Sequence, residues 1–126
     1  MVTSEADLAE LDRQGELLVD RLRSLALTRL DAAYSPEPTR ILAAHEVARR
    51  LADFAAALER PQDPIWRVLP MVNATAIGDL VAVCLHDVLG AIGSPDPVQR
   101  RDGSQTHASD EIVELSQACL SLRRRL

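Results

Sequence analysis

Apolar side chains recur at alternating intervals of three and four residues along four stretches of this chain. Breaks that contain proline or glycine separate these stretches. Such spacing places the apolar side chains on one face of an α-helix, whereas a half-buried strand needs alternation at every second position. The sequence therefore predicts an all-α fold.

The composition supports this prediction and disfavours several other classes of protein. Phe, Trp and Tyr occur once each in 126 residues, although 47% of the residues are apolar. β-Sandwiches and barrels usually rely on aromatic and β-branched residues, and many nucleic-acid-binding proteins stack bases on aromatic rings. The net charge of −5 also makes nucleic acid an unlikely partner. The length fits one domain, residues 1–126, with a core of its own.

Four helices are predicted. The first covers residues 5–33, the second runs from 37 or 39 to 60, the third from 73 or 75 to 89 or 92, and the fourth begins after 106 or 109. A short extra helical turn is expected at residues 65–69, before the third helix. Two short links and one longer connection, residues 93–106, are typical of a four-helix bundle with up-down-up-down order.

Some leucines and valines lie outside the main apolar stripes of these helices. Leu17 and Leu27 fall beside the heptad seam of the first helix, and Val83 and Leu89 leave little polar surface on the third. A helix that is apolar most of the way round is usually central or shared between two chains. These four residues are therefore interface candidates for a homodimer or for binding another protein.

The sequence also suggests where the protein resides. No apolar run approaches the ~20 residues of a membrane helix, and the acidic N-terminal stretch lacks the features of a secretory signal. A cytoplasmic protein with no membrane contact is expected.

Cys84 and Cys119 fall on predicted core faces and are expected to be buried free thiols. All basic residues are arginine, which we interpret as the codon bias of a high-GC bacterium.

Two arginine patterns concern charge. Glu46 precedes Arg50 by four residues, which is the favoured order for an ion pair on a helix. Two arginine clusters, Arg100 and Arg101 in the long connection and Arg123 to Arg125 at the end of the last helix, are interpreted as solvated charge. The alternative is that they meet an acidic partner or nucleic acid.

The three histidines are candidate metal ligands. His45, His86 and His107 belong to the second helix, the third helix and the entry to the fourth. A bundle can gather ligands from separate helices, but no pair of these histidines has the four-residue spacing of a metal motif. Helical phase also places His86 opposite the apolar stripe of its helix. No catalytic, cofactor-binding or metal site is assigned, and a metal-binding protein or enzyme using these histidines is kept as an alternative.

Four residues separate Arg40 from His45, and five separate Arg101 from His107. This spacing resembles the arginine–histidine motif of the HEPN ribonucleases, which are helical and often dimeric. The resemblance implies that histidine acts on a ribose hydroxyl and that arginine neutralises the phosphate. Ile41 stands where the motif is normally polar, and Arg101 lies in a Gly/Ser loop. A ribonuclease is thus a second alternative to the main expectation, a small non-enzymatic protein–protein interaction module.

Overall fold

The computed structural model describes residues 5–25, 27–32, 39–91 and 97–126. These residues form five helices and one small hairpin. The helices are α1 (Glu5–Ser24), α2 (Leu27–Leu30), α3 (Arg40–Glu59), α4 (Ile77–Ala91) and α5 (Ala108–Arg125). The strands β1 (Val98–Gln99) and β2 (Gln105–Thr106) pair antiparallel. The four long helices pack as a bundle, so the predicted all-α four-helix bundle is confirmed.

The first helix is shorter than predicted. α1 ends at Ser24, whose hydroxyl donates to the carbonyl of Arg21 at 2.9 Å. The predicted break at residues 34–38 lies outside the described residues. The start of α3 agrees with prediction, because the Thr39 hydroxyl accepts a hydrogen bond from the Leu42 amide at 3.1 Å.

Each long helix packs mainly against two others. α1 contacts α4 and α5, and α3 contacts the same two helices, so α1 and α3 occupy opposite corners of the bundle. Arg23 near the end of α1 pairs with Asp79 near the start of α4, which makes these helices antiparallel. Arg21 Nη2 donates to the carbonyl of Leu126 at 2.8 Å. α1 and α5 therefore end together and run parallel.

The direction of α4 corrects the predicted order of the bundle. Arg67 pairs with Glu59, the last residue of α3, and with Asp87, one turn before the end of α4. These two helices therefore end together and run parallel, so the bundle is up-down-down-up rather than up-down-up-down. The chain must return along the whole of α3, which at 1.5 Å per residue is about 30 Å long. Residues 60–76, the crossover segment, make this return.

The predicted helical turn at residues 65–69 is wrong for the same reason. These residues have no helical structure. A single helical turn would span too little of the return along α3. An isolated turn also makes too few hydrogen bonds to offset the cost of helix nucleation. Pro64 and Pro70 flank this stretch and give the backbone fewer N–H donors for a helix.

The most enclosed helix of those described is α3, whereas the sequence suggested that the third long helix, α4, was either central or shared between two chains. Alanine, valine, leucine and phenylalanine side chains are buried around most of the circumference of α3. The crossover segment and β1 cover the part of α3 that α4 and α5 leave open. α4 has a solvent-facing side instead, on which Val83 is 57% exposed.

Two glycines provide a test of how closely α1 and α4 pack. A Cβ atom on Gly15 would lie 2.5 Å from Cδ2 of the buried Leu85, whereas a Cβ on Gly90 would meet nothing within 4 Å. Alanine is better than glycine in a helix by about 1 kcal/mol, so Gly90→Ala is expected to stabilise the fold by up to that amount. Gly15→Ala forces Leu85 to move and is expected to destabilise it by about 1 kcal/mol. Urea unfolding measures both changes, and equal stabilisation by both substitutions would contradict the close packing.

Candidate functional site

The crossover segment exposes apolar side chains at intervals of three residues. Ile65, Val68 and Met71 are 60%, 92% and 62% exposed. The side chains that follow them, Trp66, Leu69 and Val72, are half-buried and pack against the core. This repeat matches an extended chain of the polyproline type, which turns once every three residues and rises 3.1 Å per residue. The three exposed side chains are called here the apolar strip.

Side chains from elsewhere in the fold fix the crossover segment in place. Arg101 Nη2 donates to the carbonyl of Arg67 at 2.9 Å, and the Arg101 guanidinium lies 5.8 Å from the centroid of the Trp66 ring. His45 Nε2 donates to the carbonyl of Pro70 at 3.2 Å. These bonds satisfy backbone acceptors that have no strand or helix partner. The apolar strip is therefore presented on a segment that is anchored at two points of its backbone.

A third anchor joins the crossover segment to the ends of two helices. The Arg67 guanidinium lies 3.1 Å from Glu59 and 2.9 Å from Asp87. Burial would lower the pKa of Arg67, but these two carboxylates raise it. Val83 lies one turn before Asp87 on the same face of α4. This exposed valine therefore faces the side of the bundle along which the crossover segment runs.

The β1–β2 hairpin replaces part of the long connection that the sequence predicted. Arg100 N donates to the carbonyl of Ser104 at 2.8 Å, and Gly103 has a φ of 90°, which favours glycine. The Asp102 carboxylate accepts hydrogen bonds from the hydroxyl and the amide of Ser104. These bonds lower the pKa of Asp102 and hold it in the turn.

A cavity of about 450 Å³ opens between α3, this hairpin and the start of α5. Phe54 and Val98, which are 4% and 1% exposed, contribute its apolar lining. Four guanidinium groups also line it: those of Arg49, Arg50, Arg100 and Arg101. Cavities of this size with a few converging polar groups are typical of small-molecule sites.

Asp53 binds two of these arginines. Its side chain is 14% exposed and lies 3.0 Å from Arg49 and 2.8 Å from Arg101. Arg49 also donates to Glu46, and this hydrogen bond lowers the pKa of Glu46. The predicted ion pair between Glu46 and Arg50 is therefore wrong, because Arg49 takes the carboxylate.

Glu111 lies closer to Arg100 than to Arg50. Its side chain is 10% exposed, and Arg100 donates to it at 3.0 Å, which raises the pKa of Arg100. Arg50 lies 3.7 Å from Glu111 and 3.9 Å from Glu114. Both distances exceed the ~3.2 Å that is usual for an N–H···O hydrogen bond. Arg50 is thus attracted to these carboxylates without a hydrogen bond to either of them.

The inner wall of the cavity carries more positive than negative charge. Four arginines line it together with three acidic residues, Asp53, Asp102 and Glu111, of which Asp53 and Glu111 are nearly buried. The remaining acids nearby are more exposed, as Glu46 and Glu114 show at 44% and 53%. Glu46 and Glu114 also pair with Arg49 and Arg100, so Arg50 is the arginine of this lining whose carboxylate neighbours lie beyond hydrogen-bond distance.

The predicted interface residues have different surroundings. Val83 is exposed, whereas Leu17 and Leu89 are half-buried, and Leu89 packs against the core. The side chain of Leu27 lies outside the described part of the chain. Among the predicted interface residues whose side chains the structure describes, Val83 is thus the most exposed.

The histidines lie in three different settings. His45 binds the carbonyl of Pro70, His86 is exposed on α4, and His107 is exposed at the N-cap position of α5. The predicted phase of His86 is confirmed, since Cys84 and Val88 of the same helix are buried. In the part of the chain that the structure describes, no group of three or more His, Cys, Asp or Glu side chains could hold a metal ion.

Arg40, His45 and Arg101 of the ribonuclease-like spacing bind other groups in the fold. Arg40 Nη1 donates to the carbonyl of Arg29 at 3.3 Å, while His45 binds Pro70. Arg101 is bound by Asp53. The contacts of these side chains therefore hold the fold together.

Sequence reasoning missed both surfaces described here, although each had a signal. The apolar strip appears in the sequence as Ile65, Val68 and Met71 at equal intervals in a stretch with prolines. The cavity appears as two arginine doublets, at residues 49–50 and 100–101. The first doublet was interpreted as a helix-surface ion pair, and the second as solvated charge.

Across the described ranges, no helix has an apolar stretch of the length that a bilayer crossing requires. Searches of protein-family models, curated proteins and solved structures find no significant match to this chain.

Proposed function

We propose that this protein is a non-enzymatic protein–protein interaction module that associates with a second copy of itself through the apolar strip. The observation that carries the proposal is the exposure of three large apolar side chains, Ile65, Val68 and Met71, on one anchored segment. Single exposed apolar residues are ordinary on protein surfaces, but an aligned group is typical of an interaction site.

The spacing of the strip supports a second copy as the partner. Ile65 and Met71 lie three residues on either side of Val68, which is the most exposed of the three. A two-fold axis through Val68 would place Ile65 of one protomer against Met71 of its partner, as an isologous interface requires. Val83 on the same side of the bundle would extend the contact.

The proposal includes the cytoplasmic location expected from the sequence. Cys84 and Cys119 are free thiols buried in the fold, which suits a reducing compartment. In such a compartment the dimer would be held by side-chain packing rather than by a disulfide.

Val68→Asp is expected to raise the dissociation constant of the dimer at least about ten-fold, because it places two carboxylates at the symmetry axis of an apolar contact. Sedimentation equilibrium over the micromolar range measures this change. The matched control is Val113→Asp, a substitution on α5 at a valine that is 43% exposed.

The control variant should self-associate as the unmodified protein does. A 13.8 kDa monomer at every concentration would overturn the proposal. Equal weakening by both substitutions would also overturn it, because the effect would then come from added charge rather than from the strip.

A further inference from the structure

We propose that the cavity between α3, the β1–β2 hairpin and the start of α5 binds a small organic anion, in which a carboxylate or phosphate group is carried on an apolar body. This site is distinct from the apolar strip, and the inference stands whether or not the protein self-associates.

Arg50 is the group that recognises the anion. Its side chain is 36% exposed in the cavity wall, and its two carboxylate neighbours lie at 3.7 Å and 3.9 Å. A guanidinium group has five N–H donors in a planar fork that matches a carboxylate or a phosphate. Arg50 can bind a ligand oxygen without breaking a hydrogen bond to Glu111 or Glu114. The other three arginines of the cavity already donate to carboxylates at 2.8–3.0 Å.

The fixed arginines still contribute to binding. Arg49 and Arg101 share Asp53, and Arg100 donates to Glu111, so their positions do not depend on a ligand. Arg49 and Arg100 are also paired with Glu46 and Glu114, so these three arginines fix the shape of the wall and leave recognition of the anionic group to Arg50. Little rearrangement of the wall is needed when a ligand binds.

The apolar lining selects for more than a bare inorganic ion. Phe54 and Val98 line the same cavity, and its volume of about 450 Å³ holds a ring or a short chain in addition to one anionic group. A ligand with both parts buries apolar surface against Phe54 and Val98 while its charged end reaches Arg50. A free inorganic anion gains the second interaction alone.

Calorimetric titration with four probes tests this reading. Phenyl phosphate and benzoate carry the anionic group and the ring, inorganic phosphate lacks the ring, and benzyl alcohol lacks the charge. Saturable binding is expected for phenyl phosphate, benzoate or both, at least about ten-fold tighter than for inorganic phosphate. Benzyl alcohol is not expected to bind. Failure of both aromatic anions to bind, or equal binding of benzyl alcohol, would overturn the inference.

Variants then locate the site. Arg50→Gln is expected to weaken binding of the aromatic anion at least about ten-fold, while Arg124→Gln, which removes the same charge from an exposed position on α5, should leave it unchanged. Gln99→Trp fills the cavity without a change in charge and should also abolish binding, in contrast to Gln117→Trp on the outside of α5. Unchanged affinity in Arg50→Gln or in Gln99→Trp would contradict the placement, and circular dichroism of each variant checks that it is folded.

Discussion

In the native protein, both cysteines are expected to react with iodoacetamide at least about 100-fold more slowly than in the unfolded chain. Cys84 and Cys119 are 3% and 0% exposed, and burial raises the pKa of each thiol from 9.0 to about 11. The Asp87 carboxylate adds to the effect on Cys84. Because the thiolate is the reactive form, a rise of two pKa units removes about 99% of it near pH 8. Mass spectrometry of samples labelled at pH 8 with and without urea measures the ratio.

The same thiols give the stability a pH dependence with a defined sign. The pKa of each thiol is higher in the folded protein than in the unfolded chain. The contribution of the thiols to the free energy of unfolding is therefore fully present below about pH 9 and is lost as the pH rises towards 11. A Cys84→Ala/Cys119→Ala variant is not expected to lose this contribution at high pH. Subtracting its free energy of unfolding from that of the unmodified protein separates the effect of the thiols from that of other titrating groups. Rapid labelling of either thiol in the native state, or equal alkaline destabilisation of both proteins, would show that the thiols are accessible.

Asp53→Asn is expected to lower the free energy of unfolding by about 2 kcal/mol. The carboxylate accepts hydrogen bonds from Arg49 and from Arg101 and is itself 14% exposed. Hydrogen bonds to charged groups contribute about 1.5–3 kcal/mol each, and the exposure of both arginines reduces this figure. The asparagine side chain has the shape of the carboxylate but no charge. Its NH2 group would also face arginine N–H groups, from which it cannot accept hydrogen bonds. Urea unfolding measures the loss.

Trypsin provides a second readout of the same substitution. Arg101 links Asp53 to the carbonyl of Arg67, so its release is expected to make the bonds after Arg67 and Arg101 more susceptible to cleavage. The matched control is Asp63→Asn, since Asp63 is 85% exposed and lies 3.4 Å from Arg60. That variant should stay within about 0.5 kcal/mol of the unmodified protein. An equal effect of the two substitutions would mean that Asp53 does not anchor the hairpin.

Periodicity predicted the helices because it reports which face of a segment is buried. It placed Cys84 and Val88 inside and His86 outside, as the structure has them. It could not predict the direction of α4, since an apolar stripe looks the same whichever way the helix runs. The direction depends on the crossover segment, which Arg67 ties to the ends of both helices.

The two surfaces escaped prediction for different reasons. The apolar strip repeats every three residues, a period that belongs to neither a helix nor a strand and so gives no signal for either. The cavity depends on contacts between α3, the hairpin and α5, such as the pairing of Asp53 on α3 with Arg101 in the hairpin turn. Glu111, on a helix far away in the sequence, lies 3.7 Å from Arg50. Local spacing contains no information about that contact.

The diagonal placement of α1 and α3 has a consequence for how the chain reaches this fold during synthesis. α1 and α3 are made first, yet the helices that cover the buried leucines of α1 are α4 and α5. In a simple up-down-up-down bundle, the first two helices could pair as a hairpin while the rest is still being made. Here the helices that pack against the apolar face of α1 begin more than fifty residues further along the chain. These contacts close long loops, which slows folding. The nascent chain therefore exposes this face until late in translation, when a chaperone would have most to protect.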